Sequence, residues 1–245
     1  MKTVRKIFFR SFLLQSIWNY ELMQGAGYLY CIFPKLKELY QSPFDLSTAC
    51  LRHLNYFNTH PYTVSAVLGR NARIEEENRL SHDTAAAASN RFKLQMGGPL
   101  AALGDKIFWS TWRPFTGLLG VLAVFLRLRP GFLVPLGFIL IYNIPVIRFR
   151  YRTLIKAYTG ELDLIDVVKR INTRFINSIL PAAGLVTTAV CLGAVFYRWG
   201  PVRGGLLLGF TAAVALVRGR YRVSATLLLY AVSLAVFTGS LIVKW

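Results

Sequence analysis

The chain has 245 residues, of which 54% are apolar and only 16% charged, against roughly a quarter charged in an ordinary soluble domain. Its 29 Lys and Arg outnumber 11 Asp and Glu, for a formal net charge of +18. So few charges argue against a soluble fold, and their sign leaves two classes of partner, nucleic acid or an anionic membrane surface.

The placement of the charges separates those two. Nucleic-acid binders gather their basic residues on a polar face. Here Arg127 and Arg129, then Arg148, Arg150 and Arg152, then Arg218, Arg220 and Arg222 flank apolar runs. That pattern suits membrane loops and lipid headgroups, and no nucleic-acid partner is expected. Acids are sparse in the same region: none lies between Asp105 and Glu161, and none follows Asp166.

In chain order, Met1–Leu14 is basic and amphipathic, without the apolar core and small-residue cleavage site of a signal peptide. Ile7, Phe8, Phe12, Leu14 and Ile17 recur at helical spacing. A second helix is predicted over Asp45–Phe57, capped by Ser47 or Asp45 and stopped by Pro61. Val64–Leu80 resumes a helical pattern, and the small, polar stretch Leu80–Asn90 reads as a loop.

The composition changes near residue 98. Beyond it, apolar runs occupy Phe115–Leu126, Phe132–Ile147, Ile176–Phe196, Gly205–Val217 and Val223–Val243. A straight helical crossing takes about 20 residues, so the third and fifth runs reach it and the others need tilting, re-entry or borrowed neighbours. If all five cross, the loop after the second carries seven basic residues, from Arg148 to Arg174. The loop after the fourth carries three, those after the first and third two each, and the tail one. The excess of positive charge then puts the N-terminus on the cytoplasmic side.

Three constellations are candidates for chemistry. The first is Arg52-His53 with Asn55-Tyr56-Phe57-Asn58-Thr59-His60-Pro61, polar groups around a break in the chain. A broken helix frees backbone groups to bind a polar solute. The plainer alternative, preferred on spacing alone, is a capped helix end at the membrane surface. The second runs from Gly97-Gly98-Pro99 through Gly104-Asp105 to Trp109, Trp112, Arg113 and Pro114. The glycines and Pro99 are expected to end one helix and begin another. Asp105, Trp109, Trp112 and Arg113 then share one helical face. That face could hold a polyol through a carboxylate and a flat ring, or it is an interfacial tryptophan belt with an internal Asp–Arg pair. The third is Glu75-Glu76-Glu77 among Arg70, Arg73 and Arg79, read as a solvated helix face.

Catalytic and metal-binding patterns are missing. His53, His60 and His82 form no zinc motif, no phosphate loop or nucleophile elbow occurs, and Cys31, Cys50 and Cys191 have neither metal-ligand nor redox spacing. No cofactor or metal is expected.

The same residues carry a resemblance. Phe9-Arg10-Ser11-Phe12 with Trp18-Asn19-Tyr20-Glu21-Leu22-Met23-Gln24-Gly25 resembles the N-terminus of the IID membrane subunit of mannose-family sugar phosphotransferase systems (PTS). Arg52-His53 with Phe57-Asn58-Thr59-His60-Pro61 is similar to that family's RH…FFNTxP signature, and Glu75-Glu76-Glu77 stands where it has an acidic element. Gly98-Pro99-Leu100-Ala101, Gly104-Asp105, Phe108-Trp109 and Arg113-Pro114 resemble its GPLAGIGD…FW…RP motif. Four ordered motifs over about residues 8–115 make the match specific.

The resemblance implies an all-α integral membrane fold with broken and re-entrant helices and several transmembrane helices, as one IID-like domain over residues 1–245. It implies a multi-pass subunit of the bacterial cytoplasmic membrane that pairs with a IIC subunit to translocate a hexose. Phosphate would come from soluble IIA and IIB partners, with no phosphorylation of this chain. Asn58, Thr59, His60, Asp105 and Trp109 would line or support the sugar path. Arg52, His53, Phe57, Pro61, Gly98, Pro99, Gly104 and Arg113 would be structural. The chain departs from the family in having Ala101-Ala102 for Ala-Gly, Tyr56 for Phe, and Gly97 where a Met precedes the Gly-Pro. A brief link, Trp199–Gly205, replaces a longer stretch, and the C-terminal third resembles the family weakly. These departures motivate a rival reading, a IID-like scaffold or regulatory protein that no longer transports.

Overall fold

The computed structural model describes residues 1–125 and 133–162, with scattered helical positions between 182 and 220. The chain forms two units, residues 1–187 and 188–245. In the second, the described positions, from 189 to 220, are helical.

The first unit contains α1 (Lys2–Arg10), α2 (Gly25–Leu39), α3 (Pro43–Leu54), α4 (Val64–Glu77), α5 (His82–Gly104), α6 (Arg113–Phe125) and α7 (Leu133–Thr159). A 3-10 turn, Ser11–Leu13, follows α1, and a π-helical segment, Asp105–Trp112, joins α5 to α6. Among the described residues there is no strand, only isolated bridges from Met23 to Asn19 and to Phe57.

α1 follows its pattern as far as Arg10, with Val4, Ile7 and Phe8 facing inward and Lys2, Arg5 and Lys6 facing out, but Phe12 and Ile17 of the same predicted period lie beyond the helix and are exposed. α2 is an element the sequence pattern did not announce. Its opening Gly25-Ala26-Gly27 reads as a breaker, yet both glycines mark close approaches. A Cβ on Gly25 would lie 2.7 Å from the Leu54 carbonyl oxygen, and one on Gly27 would overlap the Leu14 backbone. Tyr28, Cys31, Ile32, Lys35 and Leu36 then form the buried stripe of an amphipathic helix.

α3 begins two residues before the predicted start. Ser42 is the cap, accepting from the Asp45 N–H at 3.5 Å, and Pro43 occupies the first turn, where its missing N–H costs nothing. The helix ends at Leu54, not Phe57. Leu80–Asn90 is no loop either: α5 starts at His82, with the Ser81 hydroxyl accepting from Thr84 N–H at 3.4 Å. Ala85 to Ala88 are small, but alanine is the strongest helix former, and that outweighs their lack of periodicity. α5 also runs through Gly97-Gly98-Pro99 without ending.

α4 is the central helix. It packs on α2, α5 and α7, and buries Val64 to Gly69 as well as Asn71, Ala72, Ile74 and Glu75. Its contact with α7 is close because Gly69 meets Leu154 and Ala157, where a Cβ would come within 3.1 Å of that of Ala157.

α7 corrects the expected loop after the second apolar run. Arg148, Arg150, Arg152 and Lys156 lie within this 27-residue helix, and Arg150 is 4% exposed. Its guanidinium donates to Ser11 O at 2.7 Å and Ser11 Oγ at 2.9 Å, and lies 4.2 Å from the Phe12 ring centroid. One arginine counted toward the orientation argument is thus a core residue. The runs Phe115–Leu126 and Phe132–Ile147 fall in α6 and α7, but no helix among the described residues is long and apolar enough to cross a membrane. The other three runs lie largely outside the described residues.

Arg150 ties α7 to the N-terminal turn, so Arg150→Met removes two donated bonds and leaves the buried Ser11 carbonyl with only the long 3.4 Å bond from Leu14 N–H. Chemical unfolding of the purified chain is expected to show a loss of about 2 kcal/mol; an unchanged midpoint would contradict this tie.

Candidate functional site

The site forms around the break between α3 and α4. α3 stops at Leu54, and Asn55 turns to an extended conformation with ψ 160°. Residues 55–63 therefore leave the helix with their backbone polar groups in need of partners. Two segments supply them. From the N-terminal side, Gln24 N–H donates to Phe57 O at 2.8 Å and Phe57 N–H to Leu22 O at 3.3 Å. The Gln24 side chain then pairs with the Thr59 backbone on both atoms, donating to Thr59 O at 2.6 Å and accepting from Thr59 N–H at 3.1 Å. From the other side, the Thr59 hydroxyl donates to Gly97 O and the Thr63 hydroxyl to Leu100 O, each at 3.0 Å. These carbonyls flank Pro99, so the break is tied to α5 at the place where that helix was expected to stop.

His60 closes the same contact. Its ring lies against Gly104, where a Cβ would come within 2.7 Å of His60 Nδ1 and nearer still to Cγ. Phe108 stacks on it at 5.5 Å, Trp109 tilts toward it at 4.7 Å, and Tyr62 donates its N–H to His60 Nδ1 at 3.1 Å. Burial pushes the imidazole down from 6.5 to about 4, against the pull of Asp105. His60 is therefore neutral at physiological pH.

A cavity of about 350 Å³ opens between the two arms. Asn55, Tyr56, Phe57 and Asn58 form one wall; Asn90, Lys93, Leu94, Gly97 and Gly98 on α5 form the other. Of the residues expected on a solute path, Asn58 lines it. Thr59 and His60 are buried behind the wall, at 3% and 2% exposure. Asp105 and Trp109 stand on the π-helical segment, exposed, and are not part of this cavity. The predicted shared face of Asp105, Trp109, Trp112 and Arg113 is broken up, since a π-helix has a wider turn than the α-spacing assumes. Trp112 donates its Nε1–H to Tyr142 O at 3.3 Å, and no ion pair joins Asp105 to Arg113. Of the expected structural residues, Gly98 lines the cavity, Phe57 packs on Tyr28 at 4.7 Å, Pro61 lies in the turn, and Pro99 and Arg113 are exposed.

The acidic triplet is not a solvated face. Its members part in three directions. Glu77 is half-exposed and pairs with Arg73 and Arg70. Glu76 meets Lys35 at 3.2 Å and accepts from Tyr158 at 2.6 Å, which joins α2, α4 and α7. Glu75 is fully buried. Its carboxylate accepts from Tyr40 at 2.8 Å, His53 Nε2 at 2.9 Å and Ser89 at 3.2 Å, with Arg52 Nη1 at 3.7 Å. Burial raises this carboxyl, but the His53 hydrogen bond, Arg52 and Tyr40 outweigh it and hold it below its ordinary value. Burial in turn pushes His53 below its ordinary value. A neutral His53 donating from Nε2 leaves Nδ1 without a partner, as observed. Arg52 continues outward to His82 O at 3.1 Å, and His82 Nε2 meets Asp45 at 3.0 Å. Among the described residues no group of three His, Cys, Asp or Glu side chains is placed to hold a metal ion.

Sequence reasoning missed Lys93, Asn90, Tyr40 and Ser89. A helical register on α5 would have found Lys93, which shares a face with Gly97 and Leu100.

Residues 1–238 match the PTS system mannose/fructose/sorbose family IID component, through the C-terminal third that the motifs left weakly assigned. The chain belongs to that family. It is 32% identical over 197 residues to the mannose-specific EIID component of Escherichia coli strain K12, covering 80% of this chain and 67% of the relative. It is 32% identical over 165 residues to the fructose permease IID component of Bacillus subtilis, covering 67% of this chain and 59% of the relative. It is 30% identical over 208 residues to the sorbose-specific EIID component of Klebsiella pneumoniae, covering 84% and 72%. The matched part thus spans about two thirds of these relatives. Among solved structures, the fold is similar to a chain of the mannose transporter ManYZ in complex with microcin E492, with TM-score 0.60, 25% identity and coverage of 99% and 96%. It is also similar to a chain described as a membrane protein, with TM-score 0.72, 26% identity and coverage of 99% and 97%.

Two outcomes follow. Gly104→Ala drives a methyl into the His60 ring and is expected to cost about 1–3 kcal/mol. Gly98→Ala, with nothing within 4 Å of the new Cβ, should change stability by less than about 1 kcal/mol. Equal unfolding midpoints for the two variants would remove the proposed His60–Gly104 lock. The second outcome concerns pH. His60, His53 and Glu75 all have folded-state values below their ordinary ones, so the unfolded chain takes up protons first as pH falls. Their stabilisation is complete above about 6.5 and is lost through the acid range. The thermal midpoint is expected to fall from pH 6.5 to 4, and His60→Gln should flatten the upper part of that fall. A midpoint constant from pH 7 to 4.5 would overturn the assignment.

Proposed function

We propose that this chain is the IID subunit of a mannose-type PTS permease, a multi-pass protein of the bacterial cytoplasmic membrane with its N-terminus on the cytoplasmic side. In this reading it translocates a hexose together with a IIC subunit. Soluble IIA and IIB carriers phosphorylate the sugar, and this chain contributes no catalytic group.

The observation that carries the reading is the cavity that one family motif walls at Phe57 and Asn58 and another reaches at Gly98. Asn55, Asn58 and Asn90 bring three primary amides to it. Each amide both donates and accepts, which suits sugar hydroxyls that do the same. Tyr56 and Phe57 offer apolar ring surface to sugar C–H groups. Gly97 and Gly98 leave one end of the facing wall without side chains. Asp105 and Trp109 serve as a second station on the path, outside the cavity, with Thr59 and His60 fixing the break between them.

The test is uptake of labelled hexoses by bacteria that lack other mannose-type permeases and express this chain with IIC, IIA and IIB subunits. Asn58→Ala is expected to reduce uptake at least about tenfold at unchanged membrane abundance. Asp105→Ala is expected to abolish it. Unchanged uptake in Asp105→Ala removes the second station. If no hexose enters although IIC co-purifies with the chain, the scaffold reading replaces the transport reading.

A further inference from the structure

Lys93 has no place in the family motifs quoted above, yet it joins one wall of the cavity to the helix that leads into the other. It sits on α5 between Asn90 and Gly97, both cavity residues, and is itself one of the residues that line the cavity. It is 5% exposed. Its ammonium does not point at an acid. It donates to Arg52 O at 3.0 Å, a carbonyl in the last turn of α3, and lies 5.5 Å from the centroid of the Tyr28 ring. The carbonyls of a helix's last turn have no partner within the helix, and a cation there also complements the helix dipole. Three residues beyond Arg52 the cavity wall begins at Asn55. Tyr28, under the ammonium, packs on Phe57 of the same wall and is fixed by Asn71, which donates to its hydroxyl at 2.8 Å.

The bond from the Lys93 ammonium thus runs directly from the α5 wall to the root of the opposite wall, while the Arg52 guanidinium ties the same turn to His82 at the far end of α5. The Thr59 and Thr63 hydroxyls hold the break farther along, beyond Asn58. With both ends tied, the Asn55–Asn58 segment has a set distance from α5. We propose that Lys93 is a positioning residue for sugar binding: by holding the last turn of α3, it sets the separation between the Asn55–Asn58 wall and the α5 wall. This rests on the transport reading and names a residue that acts through the cavity's amides without requiring contact with the sugar.

The groups facing the ammonium are Tyr28 from α2, Arg52 and His53 from α3, and Glu75 from α4. Burial pushes the Lys93 ammonium down to about 8, against the pull of Glu75. His53 stays neutral and Glu75 ionised across the range above pH 7. Deprotonation of Lys93 then weakens its bond to the α3 carbonyl, and the wall loosens as pH rises.

The experiment compares the full chain, Lys93→Arg and Lys93→Met, each assembled with its PTS partners in membranes and matched for abundance. Initial hexose uptake is measured against concentration at pH 6.5 to 9.5. Lys93→Met is expected to raise KM about tenfold with a smaller change in maximal rate, and Lys93→Arg to recover most of that. The unsubstituted chain's KM should climb as pH passes about 8, while that of Lys93→Arg stays flat. A wild-type KM in Lys93→Met overturns the proposal, as does a loss confined to maximal rate, which marks a purely structural lysine. If Lys93→Met does not assemble, parallel pH profiles for the unsubstituted chain and Lys93→Arg overturn it instead. If the unsubstituted chain takes up no hexose, the transport reading fails, and this proposal with it.

Discussion

A chain that breaks its helix inside a protein must satisfy the freed backbone groups, and this fold is arranged around one such break. Residues 55–63 form neither helix nor sheet. Their polar groups are met by a glutamine side chain on one side and, through two threonine hydroxyls, by carbonyls beside a proline on the other. Unpaired, each such group would cost about 1–3 kcal/mol in a buried setting. Residues far apart in sequence are therefore interdependent, and the motifs around Gln24, Asn58 and Gly97 form one physical object. The cavity is the space this bracing leaves open.

Glu75 sets a second constraint, electrostatic in origin. An ionised carboxylate without water is tolerated when its lone pairs are filled and a cation stands near. Tyr40, His53, Ser89 and Arg52 meet both conditions, and they come from the end of α2, from α3 and from α5. The carboxylate on central α4 thereby fixes three neighbouring segments at once. Removal of any one donor leaves the charge and not just a gap, so this cluster is a point of specificity more than of net stabilisation. Lys35 with Glu76 and Tyr158 performs a similar tie toward α7, nearer the surface, where solvent shares the cost.

How far the sequence disclosed this depends on the kind of signal. α1 was legible because its apolar residues keep a clean helical period. α2 was hidden because Gly25 and Gly27 are required by packing against Leu54 and Leu14, and packing is not visible locally. α5 was half hidden, since alanines have no amphipathic pattern and Pro99 mimics a stop. The motifs pointed to Arg52–Pro61 and Gly97–Gly104, two segments that the structure packs together. They did not say which side chains would face the cavity, because register across a broken helix is set by partners from elsewhere in the chain. Glu75 was misjudged for a related reason: three consecutive acids on a helix fan out over most of its circumference, so they cannot share one environment.

The same register explains a departure from the family that otherwise counts against transport. After Gly-Pro-Leu-Ala the family pattern has glycines at two further positions, and this chain keeps the second, Gly104, while the first is Ala102. Two residues apart on a helix, these positions point about 200° apart and meet different surroundings. Gly104 faces inward, against the His60 ring, where any side chain would force the break to move. Ala102 is exposed, and alanine suits a helix better than glycine does. The glycine that was lost is at an exposed position of this chain, and the glycine that remains is the one the break requires. The substitution therefore leaves the cavity's bracing intact, and it gives the scaffold reading no structural support.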